Sequence, residues 1–201
     1  VVGPEDYDTA VHRSWHGGSG GLQLMVDGQE YAGIRASMDW HVLPGLTEEW
    51  RTDALPSKSN AEAGSDIRFA GMASDGRHGV AAFRYRSNVV YDTATAVKAY
   101  FFGEGAALAA GTAIGRVRDS SGPRWGQNRT IVTTLDQTRR YTAVTYCPDA
   151  HACPTPATVP LDGSGCNQTL QLNGTAWFHQ GGKGYVVLAA GGVAVRMQCP
   201  P

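Results

Sequence analysis

The sequence predicts an all-β fold, an antiparallel multi-sheet β-sandwich, and three observations carry that expectation. No segment repeats its apolar residues at the period of about 3.6 that a helix needs. Short runs rich in β-branched and aromatic residues recur from end to end. Glycine occurs 26 times and proline 10 times, a content that suits many turns between short strands.

Taken in order, residues 22–26 read as a strand, Asp27-Gly28 as a two-residue turn, and residues 30–35 as the returning strand. Residues 67–72 and 80–86 flank Ser74-Asp-Gly-Arg77, a second hairpin signal. Residues 96–102 alternate in their first half and end in two aromatics; Tyr100, Phe101 and Phe102 read as sheet core. Residues 104–115 are alanine-rich, but Gly105, Gly111 and Gly115 each cost about 1 kcal/mol inside a helix, so a glycine-broken strand is expected. Residues 130–134 and 141–146 follow as strands. Residues 177–178 and 185–188 form a hairpin around Gln180-Gly-Gly-Lys-Gly184, and residues 193–197 close the series. Two long irregular stretches remain, residues 38–65 and 148–165. With no repeat and no linker, residues 1–201 are expected to form a single β-sandwich domain.

Composition narrows the function. Of 201 residues, 42% are hydrophobic and 17% charged, which is enough apolar material for a packed core. A net charge of −1 supplies no basic excess for a phosphate backbone, so nucleic acid is excluded as a partner. No run of 18 apolar residues is present to span a membrane as a helix, and residues 1–20 hold no leader-like apolar core. No acidic cluster has calcium spacing, and neither a metal nor a cofactor is expected.

The compartment is read from two signals. Asn128-Arg-Thr, Asn167-Gln-Thr and Asn173-Gly-Thr are glycosylation sequons, and they use three of the five asparagines. All four cysteines, Cys147, Cys153, Cys166 and Cys199, lie after residue 146. An even, clustered set in such a chain reads as two disulfides and a secreted, extracellular glycoprotein. Three connectivities are open; Cys147–Cys153 with Cys166–Cys199 is preferred, the first closing a short local loop.

Several segments, in order, resemble the β-sheet region of polysaccharide lyase family 8, the hyaluronate, chondroitin and xanthan lyases. They are Asp8-Thr-Ala-Val-His12-Arg13, then Asp27-Gly-Gln-Glu-Tyr31 with Met38-Asp-Trp-His-Val-Leu-Pro-Gly-Leu-Thr47. Phe69-Ala-Gly-Met72 with Gly79-Val-Ala-Ala82 follows, then Val97-Lys-Ala-Tyr-Phe-Phe102 with Leu108-Ala-Ala-Gly-Thr-Ala-Ile114. Thr130-Ile-Val-Thr-Thr-Leu-Asp-Gln137 and Trp177-Phe-His-Gln-Gly-Gly-Lys-Gly-Tyr185 complete the set. The resemblance implies a lyase-type supersandwich, placed in that family behind an α/α toroid that carries the catalytic Asn, His, Tyr and Arg. This chain has no toroid, and residues 14–20 replace the family's Asn-Gly-Glu-Asn-type segment with Ser-Trp-His-Gly-Gly-Ser-Gly.

The implied reaction is β-elimination of a uronate glycoside. It requires neutralisation of the carboxylate, a base for the C5 proton and an acid for the leaving oxygen. The expectation is therefore the β-sandwich portion of a secreted polysaccharide lyase, its catalytic base on a helical chain or segment elsewhere. The alternative is a stand-alone, lectin-like carbohydrate-binding glycoprotein. In both readings the partner is a polysaccharide or glycan. The candidate contact residues are His12, Arg13, Trp15, His16, Trp40 and His41, because indole faces stack on sugar rings and cations grip carboxylates. Glu48, Glu49 and Arg51 read as a solvated loop cluster, and Arg139-Arg140 as surface with a capacity for acidic sugar.

Overall fold

The computed structural model describes residues 20–52, 69–86, 93–116, 129–162, 164–172, 174–188 and 193–198. Its described strands are β1 (Thr47–Glu49), β2 (Ala70–Ser74), β3 (Gly79–Arg86), β4 (Ala94–Gly103), β5 (Ala106–Arg116) and β6 (Ile131–Thr133). They continue with β7 (Val144–Cys147), β8 (Ala157–Val159), β9 (Gln168–Leu172), β10 (Ala176–Gln180), β11 (Lys183–Val187) and β12 (Val193–Met197). Four sheets result, with strand orders β1-β6, β2-β3-β4-β5, β11-β10-β7-β8 and β12-β9. Every pairing is antiparallel. The all-β, multi-sheet expectation holds.

The chain divides into two compact units. The first comprises Val1–Gln23 and Asp39–Asp136, the second Leu24–Met38 and Gln137–Pro201. In the first unit, β4 alternates with period two: Ala94, Ala96, Lys98 and Tyr100 are buried, while Thr95, Val97 and Ala99 are half-buried on the other face. Across the ladder Phe83 pairs with Lys98 and Tyr85 with Ala96, so all six share one face. Phe83, Tyr85, Ala94, Ala96 and Tyr100 form the core there, with Leu22 and Ile131 packed against it. Each large side chain so removed from water contributes about 1.5–3 kcal/mol. The glycine-broken segment is a strand as expected, and its register shifts between Thr95 and Val97, with Ala113 on β5 at φ 51°.

The second unit packs Tyr146, Val159, Leu172, Ala176 and Phe178, drawn from both of its sheets, into one cluster. Tyr146 and Phe178 are cross-strand partners, and their rings stack at 5.9 Å. Gly181 and Gly182, at φ 56° and 79°, turn β10 into β11. Cys147 bonds to Cys153, the expected local loop, and Cys166 is also disulfide-bonded. Cys199 lies outside the described residues.

Three local expectations are corrected. Residues 22–26 and 30–35 are not strands: Gln29–Tyr31 and Ile34–Ala36 are short 3-10 turns. At residues 26–28 the cause is Glu30, whose carboxylate accepts from the backbone N–H groups of Val26 (2.6 Å), Asp27 (3.3 Å) and Gly28 (2.9 Å), and in the second segment Gly33, at φ 69°, interrupts the run. Amides satisfied within the loop are not available to a ladder. The irregular stretch at residues 38–65 contains β1, and that at residues 148–165 contains β8. Finally, Tyr100, Phe101 and Phe102 are not all core. Tyr100 is buried, whereas Phe101 and Phe102 run past the covered part of the sheet and are exposed.

Candidate functional site

Of the six candidate contact residues, the described structure places Trp40 and His41, both half-buried, in the loop before β1. His12, Arg13, Trp15 and His16 lie outside the described residues, as do Asn128 and Asn173. Asn167 is exposed, with φ 64°, just ahead of β9.

The loop carrying Trp40 and His41 is fixed by backbone bonds. Leu22 N–H donates to the Pro44 carbonyl (2.9 Å), Gly45 N–H to Thr134 (2.9 Å), and Thr134 N–H to Leu46 (2.9 Å). Gly45 sits at φ 83°, where a Cβ would stand 2.3 Å from the Leu22 nitrogen. Only glycine permits both this left-handed backbone and the close approach. Within the loop, Oδ1 of Asp39 accepts from the His41 backbone N–H (3.0 Å) and lies 2.7 Å from His41 Nδ1. The carboxylate thus fixes the orientation of the imidazole ring.

Beneath this loop lies a network that sequence reasoning assigned to solvent. Glu48, Glu49 and Arg51 are 1%, 4% and 4% exposed. The solvated-cluster expectation is therefore overturned. β1 pairs with β6, setting Glu48 opposite Val132 and Glu49 opposite Ile131. Buried carboxylates demand donors, and distant strands supply them. The Tyr85 hydroxyl on β3 donates to Glu48. Glu49 accepts from Thr93 Oγ1 and from Arg116 Nη1 at the end of β5. Lys98, buried on β4, donates from Nζ to the Gly45 carbonyl and so ties the loop to the sheet. Burial lowers the Lys98 pKa from 10.5 to about 8, with the Glu48 charge opposing the shift. Tyr100 donates to the Gly20 carbonyl (2.7 Å), and burial raises its hydroxyl to about 12. The phase of β4 was the available signal, since Lys98 is two residues from both Ala96 and Tyr100 and hence on their face.

Among the described residues, no three His, Cys, Asp or Glu side chains gather to hold a metal ion. No described helix is long and apolar enough to cross a membrane.

Comparison with known proteins agrees with this architecture. The chain is 33% identical over 119 residues to chondroitinase-AC of Pedobacter heparinus, an alignment covering 59% of this chain and 15% of that protein. The chain thus corresponds to a small part of that relative's length. No solved structure matches. The profile of polysaccharide lyase family 8, super-sandwich domain, matches residues 3–199, and the chain belongs to that family.

Proposed function

We propose that this chain is the β-sandwich portion of a secreted polysaccharide lyase that cleaves uronate-containing polysaccharide by β-elimination. It forms one wall of the substrate cleft, and the catalytic base belongs to a helical chain or segment outside it. The carrying observation is the match of residues 3–199 to a super-sandwich domain, beside a relative of which the alignment covers 15%. The relative's name makes chondroitin the first substrate to try. On this chain, Trp40 and His41 contribute to the wall, the pinned loop holding them ready for a sugar ring. His12, Arg13, Trp15 and His16 belong to the same proposal. Secretion is supported by the Cys147–Cys153 bond, by the bonded Cys166 and by the sequons at Asn128, Asn167 and Asn173.

The test is ultraviolet absorbance from the unsaturated uronate when the purified chain is mixed with chondroitin, hyaluronan, xanthan or glucuronan. The expected result is binding without turnover, with turnover gained when a helical partner is added. Turnover by the bare chain overturns the external base. Saccharide binding that no helical partner converts to turnover favours the stand-alone, lectin-like reading. Neither binding nor turnover on any of the four sinks both readings. Intact mass before and after endoglycosidase treatment reads the three sequons directly.

A further inference from the structure

The second unit brings together cations and aromatic rings that the proposed wall does not use. Three segments meet. The loop of residues 24–38 meets residues 138–142 through Thr138 Oγ1 and Arg139 N–H, which donate to the Glu30 carbonyl at 3.0 and 2.8 Å, and through the Tyr141 hydroxyl, which donates to the Gln29 carbonyl. The β10–β11 turn joins them, with Gly181 N–H donating to Thr142 Oγ1 (3.0 Å) and Gly182 facing Val26.

On this base, Arg139 and Tyr141 are both exposed, and the guanidinium carbon lies 5.2 Å from the ring centroid. Arg139 Nη1 donates to the Ala32 carbonyl at 3.3 Å. A guanidinium carries five N–H donors, so this anchoring leaves it the means to take a carboxylate by two parallel bonds. Lys183 is buried with its ammonium 5.3 Å from the Tyr31 ring, adding positive charge behind the surface. The neighbouring acids are engaged. Glu30 receives three backbone N–H groups, which hold its pKa low, and Asp27 accepts from Gln29 N–H at 2.9 Å. Arg140 turns elsewhere, toward the Leu161 carbonyl and Cys166 sulfur.

We propose that Arg139 and Tyr141 form a second saccharide subsite that takes a uronate, with Arg139 pairing the carboxylate and Tyr141 stacking on the pyranose ring. The proposal rests on the polysaccharide reading above and deepens it. Arginine over an aromatic ring is pre-organised, so less freedom is lost on binding than with a mobile lysine. The neutral sugar face then meets the ring while the carboxylate meets the guanidinium.

The experiment titrates the full chain with a hyaluronan hexasaccharide, following backbone amide shifts and affinity. Shift changes are expected at residues 29–32, 138–142 and 181–183. Arg139→Gln and Tyr141→Ala are each expected to weaken binding about tenfold, and Tyr141→Phe to weaken it less. A chondroitin sulfate hexasaccharide separates sulfate from carboxylate, cellohexaose removes the charge, and polyglutamate removes the sugar. Stronger binding of sulfated chondroitin than of hyaluronan reassigns the site to a sulfate ester and overturns the uronate claim. Equal competition by polyglutamate overturns the saccharide claim. Shifts confined to residues 39–46, or unchanged affinity in Arg139→Gln, overturn this subsite while leaving the parent reading intact. No binding of any saccharide by the wild-type chain removes both.

Discussion

The hydroxyl of Tyr85 donates to the carboxylate of Glu48, and both side chains are buried. The bond joins β3 of a four-stranded sheet to β1 of a two-stranded one, across 37 positions of sequence. Removing one donor from a buried carboxylate costs about 1–3 kcal/mol. Tyr85→Phe is therefore expected to lower unfolding free energy by that amount in urea titration. A loss below a few tenths of a kcal/mol would show that Glu48 is satisfied without Tyr85.

Lys98 gives stability a defined alkaline signature. Its pKa is about 8 in the folded chain against 10.5 as the ordinary value. Below pH 8 it is charged in both states, and folding bears the full cost of burying the ammonium. Between pH 8 and 10.5 the unfolded chain holds the proton more tightly, so this residue's contribution to stability rises with pH. The full shift corresponds to roughly 3 kcal/mol. Subtracting the stability curve of Lys98→Met from that of the wild type is expected to give a difference that climbs across this window. A flat difference would refute the shifted ammonium.

Gly45→Ala combines two penalties. The left-handed backbone costs an L-residue about 1–2 kcal/mol, and the new methyl meets the Leu22 nitrogen. Thermal melts are expected to show a loss of at least about 2 kcal/mol, together with weaker saccharide binding. Normal stability would mean that the loop is free to shift.

Trp40→Ala and His41→Ala are each expected to weaken oligouronate binding about tenfold, or about 1.4 kcal/mol, with circular dichroism unchanged. Asp39→Asn is expected to act in the same direction and less strongly, because the amide still accepts a hydrogen bond but no longer carries the charge that favours His41 Nδ1 as donor. Unaltered affinity in all three variants would remove the loop from the binding wall.

The hairpins were legible because their signals are local. Ser74-Asp-Gly-Arg77 and Gly181-Gly182 specify turns by themselves, and the glycines of residues 105–115 gave away β5 despite its alanines. The 3-10 turns at Gln29 and Ile34 escaped because the Glu30 carboxylate diverts the amides of residues 26–28, and Gly33, at φ 69°, turns the chain inside a strand pattern. β1 escaped for a different reason. Glu48, Glu49 and Arg51 read as a solvated cluster until partners of the two carboxylates, 37, 44 and 67 positions away, are brought to them, and no local pattern encodes those partners. Trp40 and His41 were visible as residue types, whereas the Asp39 brace needed coordinates.

The order in which the chain visits its two units has a consequence for synthesis. Leu24–Met38 leaves the ribosome before the rest of its unit, which begins only at Gln137. The Glu30 carbonyl waits for Thr138 and Arg139, and Tyr31 waits for Lys183. Nascent chains halted before residue 137 lack those partners, so protection of residues 24–38 from protease is gained only as residues 137–201 emerge.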